Sequence, residues 1–110
     1  MRISEALGGG EPVFSFEFFP PKTDEGVEQL FGAVEALKQL NPSYVSITYG
    51  AGGSTRDGTV EIAERIKGEY GIETVAHLSC VGETRDGLRA LLDRFEEIGI
   101  ENVLLSLIHI

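Results

Sequence analysis

Two hydrophobic patterns alternate along the chain. Short runs rich in β-branched and aromatic residues predict strands, and longer segments with apolar residues every three or four positions predict helices. The predicted strands are residues 13–18, 44–49, 73–79 and the segment from 102 onward. The predicted helices follow Thr23, begin near Thr55, and follow Thr84.

The ends of the predicted helices carry local signals. Thr23 and Thr84 offer side-chain oxygens as N-caps. Asn41-Pro42 is expected to stop the first helix, and Gly71 and Gly99 to close the next two. The apolar face of the first helix is predicted to carry Val27, Leu30, Phe31, Val34, Leu37 and Leu40. The second is predicted to use Val60, Ile62, Ala63 and Ile66, and the third Leu88, Leu91, Leu92, Phe95 and Ile98.

The alternation itself predicts an α/β fold with parallel strands. The predicted strands begin about thirty residues apart, which is the length of one βα unit. Eight such units make a closed (β/α)₈ barrel of about 250 residues, so 110 residues hold about three and a half units within a single domain. The periodicity also leaves open a small doubly wound sheet.

Composition narrows the classes of function. The chain is 42% hydrophobic and 25% charged, which is typical of a folded globular domain. Its formal charge of −9 disfavours nucleic acid and anionic membrane surfaces as partners. Cys80 is the only cysteine, so no internal disulfide or cysteine-based metal cluster is expected, and the predicted location is the reducing cytoplasm. Residues 1–12 contain no apolar run of signal-peptide length and are interpreted as an N-terminal extension.

Polar residues near the ends of three predicted strands are the candidates for chemistry. Glu17, Thr48 and His77 interrupt runs that should be apolar in a fully buried parallel sheet. Catalytic residues of parallel α/β folds lie at the carboxyl ends of several strands. Glu17 is the strongest candidate, because four phenylalanines flank it and burying an unpaired charge costs several kcal/mol.

The remaining candidates have equally good structural explanations. His77 could be a hydrogen-bonded core histidine, and Ser46 and Thr48 share a strand face on which threonine is simply a good strand former. The Gly50–Ser54 loop resembles a phosphate-binding turn before a helix, but it has neither a Walker lysine nor the GxGxxG order. It keeps open a small nucleotide- or phosphate-binding module without catalysis.

Three strings of residues resemble one known family. FSFEFFPPKT at residues 14–23, SITYGAGGSTRD at residues 46–57 and AHLSC at residues 76–80 are similar to the first three strands and loops of methylenetetrahydrofolate reductases. They occur in the family's order and at its separations, and the resemblance covers residues from about 13 to 106.

The resemblance implies a flavoprotein oxidoreductase of one-carbon metabolism with a (β/α)₈ barrel. FAD lies at the carboxyl ends of the strands, and NADH or NADPH reduces it. 5,10-Methylenetetrahydrofolate is then reduced to 5-methyltetrahydrofolate, the methyl donor for methionine synthesis. By position, Glu17 is the general acid, Thr48 lies against the nicotinamide, and Tyr49, Ala51 and His77 contact FAD.

The chain departs from the family pattern at residues 107–110. An Arg-Gly-Asp turn follows the fourth strand in the family, whereas this chain reads Leu107-Ile108-His109-Ile110. The expectation is therefore an incomplete N-terminal part of the barrel, inactive alone, from an enzyme that is a homo-oligomer at full length. Four parallel strands with uncovered faces also predict marginal stability.

Overall fold

The computed structural model describes residues 1–49 and 56–106, except the side chain of Arg56. Four helices and four strands alternate along this part of the chain. The helices are α1 (Ile3–Leu7), α2 (Asp24–Lys38), α3 (Arg56–Gly68) and α4 (Arg85–Glu97). The strands are β1 (Ser15–Phe18), β2 (Tyr44–Ile47), β3 (Thr74–Ser79) and β4 (Asn102–Ser106). The first three strand predictions are thus confirmed with shorter bounds, and the fourth is confirmed over residues 102–106.

The four strands form one parallel sheet in the order β1-β2-β3-β4. Glu17 pairs in register with Ser46, and His77 with Leu104. A doubly wound sheet needs a reversal of strand order, and the described strands contain none. The α/β class with parallel strands is therefore confirmed, and the sequential order is the winding that a partial barrel requires.

The hydrophobic core lies between one face of this sheet and the helices α2, α3 and α4. Val45 and Ile47 of β2 and Ala76 and Leu78 of β3 alternate with polar neighbours and are almost fully buried. They pack in one cluster with residues of the helices: Leu30, Phe31, Val34, Val60, Ile62, Ala63, Ile66, Leu91 and Phe95. All the helical core is therefore on one side, and the other face of the sheet is left for polar residues.

The N-caps form as the sequence predicts. The Thr23 side chain accepts a hydrogen bond from the backbone N–H of Gly26, and Thr84 accepts one from Gly87, both at 3.0 Å. Gly99 has a φ of +84°, the left-handed conformation that glycine adopts after a helix. Gly71, at φ +67°, lies three residues beyond α3, so it turns the chain toward β3 rather than ending the helix directly. No helix in the described ranges has both the length and the hydropathy that crossing a membrane demands.

The prediction of the apolar helix faces is wrong for two residues, which are exposed. Leu40 is 66% exposed because α2 ends at Lys38 and the next turn carries Leu40 away from the sheet. Leu92 is 46% exposed because it lies one residue beyond Leu91, about 100° around the helix from the buried stripe. The other predicted apolar residues of α2, α3 and α4 are buried or half-buried.

The N-terminal segment contains a short helix and contacts the sheet. Residues Ile3–Leu7 form α1, and Ile3 lines the polar side of the sheet. The Asn102 side chain accepts a hydrogen bond from the Ile3 N–H at 3.0 Å and donates one to the Met1 carbonyl at 2.8 Å. The first residues are thereby attached to the start of β4.

Glu73 is the centre of a charged cluster beside this attachment. Its side chain is only 10% exposed, and its two carboxylate oxygens each lie 2.8 Å from Lys67 Nζ. The Met1 amino group and Asn102 Nδ2 also donate to it, at 2.8 and 3.1 Å. Burial raises the pKa of Glu73, but the hydrogen bonds from Lys67 and the amino group outweigh it, so the pKa lies below its ordinary value of 4.5.

Replacing Glu73 with glutamine is expected to lower the free energy of unfolding by about 1–3 kcal/mol at pH 7, because Lys67 loses a charged partner in a half-buried place. Since the folded-state pKa is depressed, the stabilisation is complete above pH 4.5 and disappears as the pH falls through the folded-state pKa below that value. Urea denaturation of both proteins at pH 7 and in the acid range measures this difference. Glu69→Gln is the control, because its pair with Arg65 is exposed and contributes about 0.5 kcal/mol or less. A deficit that persists unchanged in acid would contradict the charge argument.

Candidate active site

Glu17 and Ser46 are held side by side by the pairing of β1 with β2. The two residues are register partners, and both side chains leave the sheet on the face opposite the helical core. The Ser46 hydroxyl donates a hydrogen bond to Glu17 Oε1 at 3.0 Å. The parallel ladder therefore fixes the distance between the backbones that carry this pair.

His77 joins them from β3. Its Nε2 atom lies 3.2 Å from the same Glu17 oxygen, and its side chain is 17% exposed. The contact is close but does not have hydrogen-bond alignment, so within residues 1–49 and 56–106 Nε2 is buried without a hydrogen-bond partner. A buried ring nitrogen in this condition is available to a group outside the described residues.

The predicted environment of Glu17 is wrong. Half of its side chain is exposed, at 50%, rather than buried among the phenylalanines. Strand alternation explains the difference, because Phe16 and Phe18 point to the opposite face and pack against the core. Phe14 and Phe19, beyond the strand ends, are 73% and 71% exposed. The carboxylate thus faces an open surface that also carries a hydroxyl and an imidazole.

This surface is a groove of about 380 Å³ along the polar face of the sheet. Glu17, Ser46 and His77 lie toward the carboxyl ends of their strands. The remaining lining residues are Ile3, Ser15, Tyr44, Val75, Val103 and Leu104. We call this feature the sheet groove. It combines one carboxylate, one imidazole and the hydroxyl groups of Ser15, Tyr44 and Ser46 with an apolar wall, which suits an organic ring system with a few polar atoms.

Thr48 and Tyr49 follow directly after β2 and do not line the sheet groove. The Thr48 N–H donates to the Phe18 carbonyl at 3.0 Å, and its carbonyl accepts from the hydroxyl of Thr59, a fully buried residue of α3, at 2.9 Å. Tyr49 packs against the hydrophobic core. Both are half-buried at the carboxyl edge of the sheet, so their roles toward the nicotinamide and FAD stay predictions.

Ala51 and the Gly50–Ser54 loop lie outside the described residues, as do residues 107–110. The predicted contact of Ala51 with FAD and the departure from the family pattern at the chain's end therefore stay predictions. Of the predicted set, the structure brings together Glu17 and His77, whereas Thr48 and Tyr49 directly follow β2 and contact other residues.

Ser46 is a weak candidate from the sequence alone, although the structure places it next to Glu17. Its residue type is common in strands, and nothing local distinguishes it from Thr48 on the same face. The predicted strand bounds do not reveal the pairing. Aligning the predicted strands 13–18 and 44–49 at their first residues places Ser46 opposite Ser15, two positions before Glu17. The observed pairing begins at Ser15 and Tyr44, and only that register makes Ser46 the partner of Glu17.

The fold and the site together define an α/β protein whose acid–base residues lie at the carboxyl ends of neighbouring parallel strands, as they do in barrel enzymes. Comparison with models of protein families identifies the family to which this chain belongs. The family model for methylenetetrahydrofolate reductase matches residues 2–106. The chain belongs to the methylenetetrahydrofolate reductase family, whose members are oxidoreductases.

Individual relatives of the chain are also named methylenetetrahydrofolate reductases. The chain is 46% identical over 103 residues to methylenetetrahydrofolate reductase (NADH) 1 of Zea mays, covering 94% of this chain and 17% of that protein. It is 39% identical over 95 residues to 5,10-methylenetetrahydrofolate reductase of Salmonella typhimurium, covering 86% and 32%. Methylenetetrahydrofolate reductase 1 of Schizosaccharomyces pombe is 36% identical over 109 residues, covering 94% and 18%. The chain thus spans between about a sixth and a third of the length of these relatives.

Proposed function

We propose that this chain contributes the acid-bearing part of an enzyme that reduces 5,10-methylenetetrahydrofolate to 5-methyltetrahydrofolate. The observation that carries the proposal is the Glu17 carboxylate, half-exposed in the sheet groove within contact of Ser46 and His77. The family match supports the substrate, because the Salmonella typhimurium relative is named for 5,10-methylenetetrahydrofolate.

We also propose that the sheet is the first part of a closed (β/α)₈ barrel. The sequential strand order supports this, as does the location of α2, α3 and α4 on one face only. In a barrel the opposite face points inward, so the sheet groove becomes part of the interior. Residues 1–110 are then one incomplete domain, with α1 of the N-terminal segment lying across the start of the strands.

The residues at the strand ends fit a flavin. FAD, when bound, supplies the hydride chemistry that no side chain can provide. His77 suits such a group because its Nε2 is buried and lacks a hydrogen-bond partner within the described ranges. Tyr49 would contact FAD from the end of β2 and Ala51 from the loop that follows, whereas Thr48 would lie against the nicotinamide.

Glu17 moves the proton in the proposed reaction. Its carboxyl donates a proton to one of the two folate nitrogens that share the methylene bridge. The bond from that nitrogen to the methylene carbon breaks, its electron pair stays on the nitrogen, and the carbon forms an iminium with the other nitrogen. Hydride addition to this carbon gives the methyl group. The apolar residues Val75 and Leu104 line the same groove.

The same proposal includes the hydride source, the location, the oligomeric state and the excluded partners. NADH or NADPH is the hydride source, and the plant relatives whose names specify NADH favour NADH. The enzyme is cytoplasmic, as the single Cys80 indicates, and it is a homo-oligomer at full length. Neither nucleic acid nor a membrane is a partner, since the chain's charge of −9 repels anionic surfaces.

The test compares the 110-residue chain with a completed enzyme. The completed enzyme is the continuation read from the gene or, where a stop follows codon 110, a chimaera in which residues 1–106 replace the matching segment of the Salmonella typhimurium relative. We expect flavin absorbance and oxidation of NADH by methylenetetrahydrofolate in the completed enzyme, and no turnover in the 110-residue chain. A completed enzyme that folds and binds flavin but never reduces the folate would refute the proposed function.

A further inference from the structure

Two neighbours of Glu17 approach the same carboxylate oxygen. Ser46 Oγ donates to Oε1 at 3.0 Å, and His77 Nε2 lies 3.2 Å from Oε1. Within the described part of the chain, Oε2 has no hydrogen-bond partner. The carboxyl group is therefore asymmetric, because both of these contacts are made by Oε1.

This asymmetry fixes where a proton can be carried. An oxygen that accepts a hydroxyl hydrogen bond and lies beside an imidazole is the carbonyl-type oxygen of a carboxylic acid. With Oε1 occupied by these contacts, the proton is assigned to Oε2. After the proton has left, the bond from Ser46 becomes charge-assisted and strengthens, so it stabilises the product state of the transfer.

We infer that Ser46 is a positioning residue for proton donation by Glu17, holding Oε1 so that Oε2 presents the proton to the folate nitrogen. The inference rests on the proposed function and adds a residue to it. Ser46 acts through Glu17 and is not itself expected to touch the reacting atoms. Its location is set by the β1–β2 register, which places its Cα opposite that of Glu17.

The alternative explanation is that Ser46 merely satisfies its own hydroxyl on a half-buried strand. The two explanations differ in what happens when the Glu17 carboxyl is absent. A positioning residue has no further effect once there is no acid to position, whereas a structural residue has the same effect with or without it. A double-mutant cycle between the two positions separates them.

The experiment uses the completed enzyme and stopped-flow measurement of its two half-reactions, flavin reduction by NADH and flavin reoxidation by methylenetetrahydrofolate. Ser46→Ala is expected to slow the folate half-reaction at saturating folate by about tenfold, as loss of one hydrogen bond to a charged group implies. Flavin reduction should change by less than about twofold. Ser46→Thr, which keeps the hydroxyl, should recover most of the rate. In Glu17→Gln, adding Ser46→Ala should change the remaining rate by less than about twofold.

Ser43→Ala is the matched control. It makes the same chemical change just before β2, at the opposite end of the strand from the Glu17 contact. Both half-reactions and the thermal unfolding midpoint should match those of the unaltered enzyme. Crystal structures of the Ser46→Ala and unaltered proteins give a readout without catalysis, in which the Glu17 carboxylate of the variant leaves its single orientation beside His77.

Several results would overturn the inference. An unchanged folate half-reaction in Ser46→Ala would do so, as would an equal loss in both half-reactions. A tenfold effect that persists in the Glu17→Gln background would show that Ser46 acts independently of the acid. If Glu17→Gln itself keeps the full folate rate, the acid role under the proposed function fails, which is distinct from a failure of Ser46 alone.

Discussion

Glu17→Gln is expected to abolish folate reduction in the completed enzyme while leaving flavin reduction by NADH intact. Glutamine keeps the size and the hydrogen-bonding oxygen of the side chain, so the contact with Ser46 can persist, but it cannot donate the proton that opens the methylene bridge. General acid catalysis contributes about 10²–10⁴-fold, and a loss of that size is predicted for the folate half-reaction. Stopped-flow absorbance at the flavin band measures both half-reactions separately.

The control for this substitution is Glu35→Gln, which makes the same chemical change on the exposed face of α2. It should leave both half-reactions and the flavin content unchanged. An equal decline of both half-reactions in Glu17→Gln would contradict the assignment, because it would indicate damage to flavin binding. Only a selective loss separates proton donation from cofactor placement, since His77 lies 3.2 Å from the same carboxylate.

Phe95→Ala is expected to produce the largest loss of stability in the chain. Phe95 is 1% exposed and packs in the single cluster formed by α2, α3, α4 and the sheet. Removing a buried phenyl ring costs about 3–5 kcal/mol, because the lost burial and the remaining cavity add together. Whole domains have stabilities of about 5–15 kcal/mol, and an open four-stranded sheet is expected near the lower end. The variant should therefore retain only about 0–2 kcal/mol of stability, so that a measurable fraction of it is unfolded at 25 °C.

Leu92→Ala is the matched control for Phe95, since both residues belong to α4 and Leu92 is 46% exposed. It should cost about 1 kcal/mol or less. Urea denaturation of the 110-residue chain, followed by far-ultraviolet circular dichroism with an osmolyte added to extend the folded baseline, compares the three proteins. Equal midpoints for the two variants would mean that α4 does not pack as described.

The edge strand β4 exposes two leucines in the 110-residue chain. Leu104 is 54% exposed on the groove side and Leu105 is 51% exposed on the other, although both belong to the fourth strand of the sheet. In a closed barrel a fifth strand pairs with this edge and following helices cover its outer side. The exposed pair is thus consistent with a sheet that continues in the longer relatives, of which this chain spans 17–32%.

The sequence by itself determined the features that depend on near neighbours. The caps of α2 and α4 form between residues three apart, Thr23 with Gly26 and Thr84 with Gly87, so a short string of letters suffices to predict them. The alternation of strands and helices follows in the same way from local periodicity. Glu17 and His77 could be selected because a polar residue in a buried parallel strand is unusual whatever lies around it.

Only the tertiary structure decided which of these residues meet. Ser46 became the partner of Glu17 through the register of β1 and β2. The alternation within each strand allows registers that differ by two residues, and the packing of the buried face against the helices selects among them. The N-terminal segment became ordered through Asn102, about a hundred residues away along the chain. Contacts at such separations form only when the hydrophobic core has folded, because closing the long intervening loop costs conformational entropy that the contacts alone do not offset. Their physical origin is collective, so no local pattern could predict them.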